Sequence, residues 1–285
     1  MELTQFISGE RFQGLADISF IPIGNGLGES ECDFVKKQQE NNNYKVFYYS
    51  ENTTVTDLPN VKTIFVNTWT LPRFFRTIFP QLKGQYTFIS HNSDMGLTED
   101  YRNFLDSEKV LKWFSQNKDI SHPKAFSLPI GLGNQQYPHG DLNLLSNVIT
   151  CNNKKENLVF KNFNIQTNSY KRSIIDFVTH TNGFFMSNPT NQKDYFESIS
   201  KSMFCISPPG NGVDCHRIWE CLYLKTIPIV EYNSAFNEFN HLPILFVSDW
   251  SAVTTEFLMS KTNMLDKFIN IPELTINYWR NKILW

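Results

Sequence analysis

Short β-branched and aromatic runs recur along the first half of the chain at residues 18–23, 45–49, 63–66, 86–90, 110–114 and 125–128, each bounded by polar, Gly or Pro positions. Runs of this length and make-up predict strands. Helix-compatible stretches lie between them, at 31–41, 71–79 and 98–105. Alternation of this kind is the pattern of a parallel, doubly wound α/β sheet. A polar break follows: residues 131–140 are rich in Gly, Asn, Gln and Pro, and residues 152–156 read Asn-Asn-Lys-Lys-Glu. A second alternation then runs through 158–160, 183–186, 203–206, 227–230 and 244–247. The pattern predicts two Rossmann-like α/β halves, 1–145 and 146–270, and a helix-like aromatic tail at 271–285.

One strand–loop–helix junction concentrates polar chemistry. Phe204, Cys205 and Ile206 form an apolar run, Pro208 to Gly212 can continue neither strand nor helix, and Asp214 is placed to cap a helix that follows. First-turn N–H groups and the positive end of a helix dipole favour an anion, and Gly210 and Gly212 let backbone approach it closely. Arg217 and Glu220, three residues apart, share one helix face, while Ile218, Cys221 and Leu222 can turn toward a sheet. An arginine offers a fixed fork of donors for phosphate oxygens, and a carboxylate accepts both hydroxyls of a ribose. Taken singly, an Arg–Glu pair also fits a solvated helix surface and a Gly/Pro loop also fits a plain turn. Their coincidence at one junction points to a phosphorylated ligand.

Ser207-Pro208-Pro209-Gly210, Arg217-Ile218-Trp219-Glu220 and Ile227-Pro228-Ile229-Val230 together resemble the donor-binding half of exostosin-like glycosyltransferases, most strongly over residues 200–232. The resemblance implies the GT-B architecture, two Rossmann-like doubly wound domains facing across a cleft, with the first domain for the acceptor and the second for a nucleotide-sugar donor. It also implies a C-terminal helix that packs back on the first domain. By the same resemblance Arg217 meets the diphosphate, Glu220 the ribose, and His216 with the Gly210–Gly212 backbone the phosphates. Asn211 and Asp214 belong to the same donor loop. Asn164 and Thr167, after the first strand of the second half, carry small polar groups suited to phosphate or sugar hydroxyls; Arg172 on the next helix adds positive charge there or is a surface residue.

In an open α/β sheet the loops after the strands' carboxyl ends bind ligands. The glycine-rich loop 23–29 follows the first strand and lacks the third position of a dinucleotide fingerprint, so Asn25 is read as an acceptor contact. Trp69 follows the third strand and either stacks on a sugar ring or packs in the core. His139, in the loop 131–141, is a further acceptor candidate, or that loop is a hinge. Inverting sugar transfer needs a base for the acceptor hydroxyl. Asp94, after the strand 86–90, is the first candidate, His91 the second and Glu29 the third; Asp94 equally fits a helix cap.

Composition narrows the partners. At 41% hydrophobic and 15% aromatic residues, with 25 Phe, the chain has material for two cores and is not a disordered one. A net charge of −2 lacks the basic excess of a nucleic-acid binder. Five scattered cysteines without a C-x-x-C pair indicate reduced thiols, not a disulfide framework or a zinc site. No apolar run approaches the ~20 residues that span a bilayer, and no signal peptide opens the chain, so a cytoplasmic location is expected. No Asp-x-Asp occurs, the arrangement that holds a divalent ion against a diphosphate, so no metal cofactor is expected.

These readings predict a metal-independent, inverting glycosyltransferase that moves a sugar from a nucleotide donor, a UDP-sugar by preference, to a glycan or lipid-linked glycan acceptor. The alternatives are a GDP-sugar-dependent, fucosyltransferase-like enzyme and a non-catalytic nucleotide- or glycan-binding module.

Overall fold

The computed structural model describes residues 2–23, 45–55, 58 and 60–285. Their architecture is α/β, with two parallel sheets of six and four strands. The chain divides into two compact units: Ser8–Ile130 with Trp279–Trp285, and Gly131–Tyr278 with the N-terminal residues up to Ile7. Among the described residues no helix is long and apolar enough to cross a membrane.

In the first unit, α1 (Gly9–Gln13) precedes strands β1 (Ile18–Pro22), β2 (Lys45–Tyr49), β3 (Thr63–Asn67), β4 (Tyr86–His91), β5 (Val110–Ser115) and β6 (Ala125–Ser127), ordered β2-β1-β3-β4-β5-β6. The order reverses direction at β1, and with right-handed crossovers such a reversal places connections on both faces. Every residue of β4 is buried, as a strand covered on both faces requires. Helices α2 (Leu71–Thr77) and α3 (Arg102–Leu105) contribute Phe74, Phe75 and Phe104 to an aromatic core in which Phe75 lies 4.1 Å from Phe104 and 5.0 Å from Trp113 between ring centres. The Trp113 indole N–H donates to Ser90 Oγ (2.9 Å), whose hydroxyl donates to Ser115 Oγ (2.8 Å), so this polar edge is satisfied inside the core. The predicted helix 71–79 stops at Thr77, because Pro80 has no N–H and crowds the turn before it; a 3₁₀ turn, Phe79–Gln81, follows. Trp279, fully buried, packs edge-on against Phe12 (5.9 Å). The predicted helix 31–41 lies outside the described residues.

In the second unit, strands β7 (Asn157–Lys161), β8 (Ser202–Ile206), β9 (Ile227–Glu231) and β10 (Leu245–Val247) stand side by side in chain order. Its helices include α4 (Leu142–Cys151), α5 (Ser169–Thr181), α6 (Gln192–Ser200) and α7 (His216–Tyr223). Lys161, at the end of β7, is 1% exposed; its Nζ pairs with Asp176 (2.7 Å) on α5 and donates to the Phe184 carbonyl (3.0 Å). A charge buried that deeply persists only with such partners, and here they tie α5 to the sheet.

The strand expected at 183–186 is absent. Gly183 has φ +90°, its N–H reaches the His180 carbonyl (2.9 Å), and the Phe184 N–H reaches that of Thr179 (2.9 Å). This is a Schellman cap closing α5, and it engages the N–H that a strand would have used. Helix α7 is buried along its whole second part, Ile218 to Tyr223, so only its first turn faces outward. At its end the Tyr223 hydroxyl accepts the Ile7 N–H (2.9 Å) and donates to the Leu274 carbonyl (2.6 Å).

Candidate functional site

The carboxyl ends of β7 and β8 deliver the chain into two loops, and α7 begins beyond the second. A cavity of about 450 Å³ opens there. Its walls are His216, Arg217 and Glu220 of α7, Cys215 just before it, Arg172 of α5, Gln192 and Tyr195 at the start of α6, and the loop residues His139, Asn162, Pro189 and Asn191. The position agrees with the rule that ligands of parallel α/β sheets bind beyond the strands' carboxyl ends.

Helix α7 starts one residue later than its sequence suggests. Cys215 is the N-cap, with no side chain accepting a first-turn N–H. The Asp214 carboxylate takes the Trp219 indole N–H through both oxygens instead (2.9 and 3.1 Å) and is buried. Asp214 therefore holds the helix through its side-chain partner, and lies outside the cavity wall. The first turn is left without the anionic cap that would compete with a bound anion.

Arg217 sits in that first turn. Among the described residues its guanidinium makes no hydrogen bond or ion pair, and its Nε is buried without a partner. Glu220, one turn on, is 5% exposed and receives the Tyr195 hydroxyl on Oε2 (2.9 Å). Burial raises the Glu220 carboxyl above its ordinary value, while the Arg217 charge and the Tyr195 hydrogen bond act against that rise. Arg217 and Glu220 thus influence each other through space, each with bonding capacity left for something else.

Arg172 does a different job. Its Nε donates to the Pro209 carbonyl (2.8 Å), its Nη1 to the Asn164 carbonyl (2.6 Å) and its Nη2 to the Pro208 carbonyl (3.5 Å). Asn168 Nδ2 holds the next carbonyl, that of Gly210 (2.9 Å). Arg172, read from the sequence as added positive charge or a surface residue, is buried, which removes the surface alternative; it lines the cavity and clamps the loop's carbonyls. Burial, then the nearby Arg217 charge, lowers its pKa.

His216 donates from Nδ1 to the Gly131 carbonyl (2.8 Å), which fixes the ring. Gly131 has φ +69°, and a Cβ there would lie 2.7 Å from the Ile7 carbonyl, so glycine is required. His139 stands 5.6 Å from His216 between ring centres and stacks on Tyr137. Burial lowers its pKa, favouring the neutral imidazole. By sequence His139 is an acceptor contact or part of a hinge; it lines this cavity with Arg217 and Glu220, because the units divide before it.

Other donor-side expectations are placed less directly. Ser207 is fully buried, its N–H extending the ladder to Ile229 (2.9 Å), so it is withdrawn from ligand. The Asn164 side chain caps a 3₁₀ turn by accepting the Gln166 N–H (2.9 Å). Thr167 and Asn211 are exposed, and Pro208, Gly210 and Gly212 form the buried backbone of the loop. Tyr195, Asn191, Gln192, Cys215 and Pro189 were not anticipated. Only Asn191 carries a sequence signal, as the N-cap that accepts the Asp194 N–H (2.9 Å), and that signal marks a helix start and not a cavity. Burial pushes the Cys215 thiol up to about 11 despite the pull of Arg217, so it is protonated at neutral pH.

In the first unit, His91 is 1% exposed, with Nε2 at 3.0 Å from the Pro129 carbonyl and Nδ1 at 2.7 Å from the Asn92 N–H. As a buried extension of β4 it is unsuited to take a proton from a bound acceptor. Asp94 is exposed just beyond it, and its carbonyl accepts from Asn117 Nδ2 (3.1 Å). The 3₁₀ turn after it is preceded by Thr98, so Asp94 is not that helix's cap. Trp69 is 39% exposed at the carboxyl end of β3, which excludes the core-packing alternative. Asn25 and Glu29 lie outside the described residues. Among the described residues no group of three or more His, Cys, Asp or Glu is arranged to hold a metal ion.

No family model matches the chain, and no curated protein does. Among solved structures the chain is similar to "Crystal Structure of alpha1,3-Fucosyltransferase", with a TM-score of 0.47 and 9% sequence identity over 90% of this chain and 81% of that one.

Proposed function

We propose that this protein is a glycosyltransferase whose second unit binds a nucleotide-sugar donor in the cavity around Arg217. The observation that carries the reading is Arg217 itself, a guanidinium in the wall of a cavity of about 450 Å³, with its Nε buried and unpartnered at the uncapped start of α7. A diphosphate supplies what this group lacks, and Glu220 beside it has the chemistry for ribose hydroxyls. Loss of a nucleoside diphosphate from the sugar builds negative charge on the leaving oxygens. Arg217 and the first turn of α7 stabilise that charge without a metal in this proposal.

The proposed donor is a UDP-sugar and the proposed acceptor a hydroxyl of a glycan or lipid-linked glycan. Inversion at the anomeric carbon needs a base, and Asp94, the exposed carboxylate beyond β4, is proposed for it. Trp69 offers an exposed ring face for an acceptor sugar. The test is a thermal-shift panel of UDP, GDP and their sugars, followed by assays of donor hydrolysis and transfer to glycan acceptors with and without EDTA. Binding of a nucleotide sugar and EDTA-insensitive turnover are expected. Binding without turnover would make the protein a module rather than an enzyme, and an Asp94→Asn variant with full transfer activity would remove Asp94 from the mechanism.

A further inference from the structure

We infer that Tyr195 is a positioning residue: it holds the Glu220 carboxylate toward the cavity, and through it makes the site selective for a nucleotide with an intact ribose. The inference rests on the donor-site reading above.

Tyr195 enters from a different element than the rest of the Arg217–Glu220 pair. It lies in the first turn of α6, whose start is fixed by the Asn191 cap. Its ring is held edge-on against Phe160 of β7 (5.7 Å between centres) and beside Phe196 (5.6 Å). So fixed, its hydroxyl reaches Glu220 Oε2 at 2.9 Å. A carboxylate 5% exposed needs a partner to stay charged, and Arg217 lies beyond ion-pair distance. The Tyr195 hydrogen bond therefore pins one oxygen from the α6 side and leaves Oε1 for a ligand. A carboxylate held this way accepts a vicinal diol; one released from Tyr195 is free to turn or to take up a proton, and a protonated carboxyl loses an acceptor site.

Charge supports the same picture. The groups facing Glu220 are Arg217 and Cys221 on its own helix, Cys205 on β8 and Tyr195 on α6. Burial, and then the Glu220 charge, raises the Tyr195 phenol well above its usual value, so it remains a donor across the working range. Removing that donor takes away one of the two influences that keep Glu220 ionised.

The experiment compares wild type with Tyr195→Phe, which keeps the ring. Affinities are measured for UDP against 2′-deoxy-UDP, GDP against 2′-deoxy-GDP, and pyrophosphate alone, from pH 5 to pH 8. Wild type is expected to prefer the ribonucleotide about tenfold, the scale of a hydrogen bond to a charged group. In Tyr195→Phe the preference is expected to fall several-fold, with its half-loss moved to higher pH and pyrophosphate affinity held within about threefold. Unchanged preference and pH midpoint in the variant would overturn the inference and make Tyr195 a packing residue. A wild type that binds UDP, GDP and pyrophosphate without ribose preference overturns it too, while leaving the donor-site reading intact; a wild type that binds none of the probes overturns both.

Discussion

Replacing Arg217 by Met separates binding from folding. The guanidinium lacks a partner, and a buried unpaired donor costs about 1–3 kcal/mol in the empty protein. Met fills similar space and removes that donor. Against this, Glu220 loses the positive charge that favours its ionised form, but it is relieved by protonation because burial already raises its pKa. The empty variant is therefore expected to match or exceed wild-type stability, where breaking a buried ion pair would have cost about 3–5 kcal/mol. Ligand binding behaves oppositely. Two charge-assisted hydrogen bonds to a diphosphate lost together weaken binding by about 3 kcal/mol, roughly 150-fold in Kd. With nucleotide at about 100 times the wild-type Kd, ligand stabilises wild type by ~2.7 kcal/mol and the variant by ~0.3 kcal/mol. In a melting assay that is a shift of roughly 5–10 °C reduced to about 1 °C. A variant that keeps the full nucleotide shift, or whose empty form melts about 10 °C lower, would refute the reasoning.

Three further outcomes follow from the structure. Because the folded Glu220 carboxyl ionises above its ordinary 4.5, the native state binds more protons than the unfolded chain from pH 4.5 upward, and stability is lost as pH rises through the folded value. Glu220→Gln should thus gain on wild type between pH 4.5 and neutrality and show no gain below that window; a stability difference constant with pH in denaturant titrations would contradict this. Gly183→Ala places a Cβ in open space but forces φ +90° on alanine, and should lose about 1 kcal/mol by equilibrium denaturation, with no loss counting against the cap. Lys161→Met leaves Asp176, still partly exposed, without its partner and should lose about 2–3 kcal/mol, some of it recovered by adding Asp176→Asn; additive losses would refute the pairing.

The strands of both sheets were legible because each is a short β-branched or aromatic run between polar, Gly or Pro positions, a pattern that depends on local sequence alone and that β2 and β7 carry although they are only partly buried. The apolar run around Phe184 looks the same in sequence, yet its N–H groups close a helix, and only the positive φ of Gly183 distinguishes the two. Arg217, Glu220 and His216 were legible because one helix turn sets their spacing. Tyr195 was not, since packing of α6 against β7 brings it in from another element. Asp214 reads as a cap by residue type, but the Trp219 indole five residues on competes for its oxygens and wins. Arg172 reads as added positive charge or as a surface residue, and nothing local reveals that backbone carbonyls of a distant loop surround it. His91 reads as a cleft-facing strand end, although β4 continues through it and buries it.

The Tyr223 hydroxyl joins Ile7 to Leu274, and Trp279 completes the packing around Phe12. Each unit thus takes in two segments of chain far apart in sequence. On a ribosome, where domains ordinarily fold one after another as they emerge, the Ser8–Ile130 unit lacks its closing segment, Trp279–Trp285, until Gly131–Tyr278 has been made. The Ser8–Ile130 core is consequently completed only after the whole of the other unit has been made, and removing residues 279–285 should unsettle it as surely as a cavity cut inside it. Excising either unit for separate study calls for rejoining its two segments by a new linker, not for a single cut at residue 130.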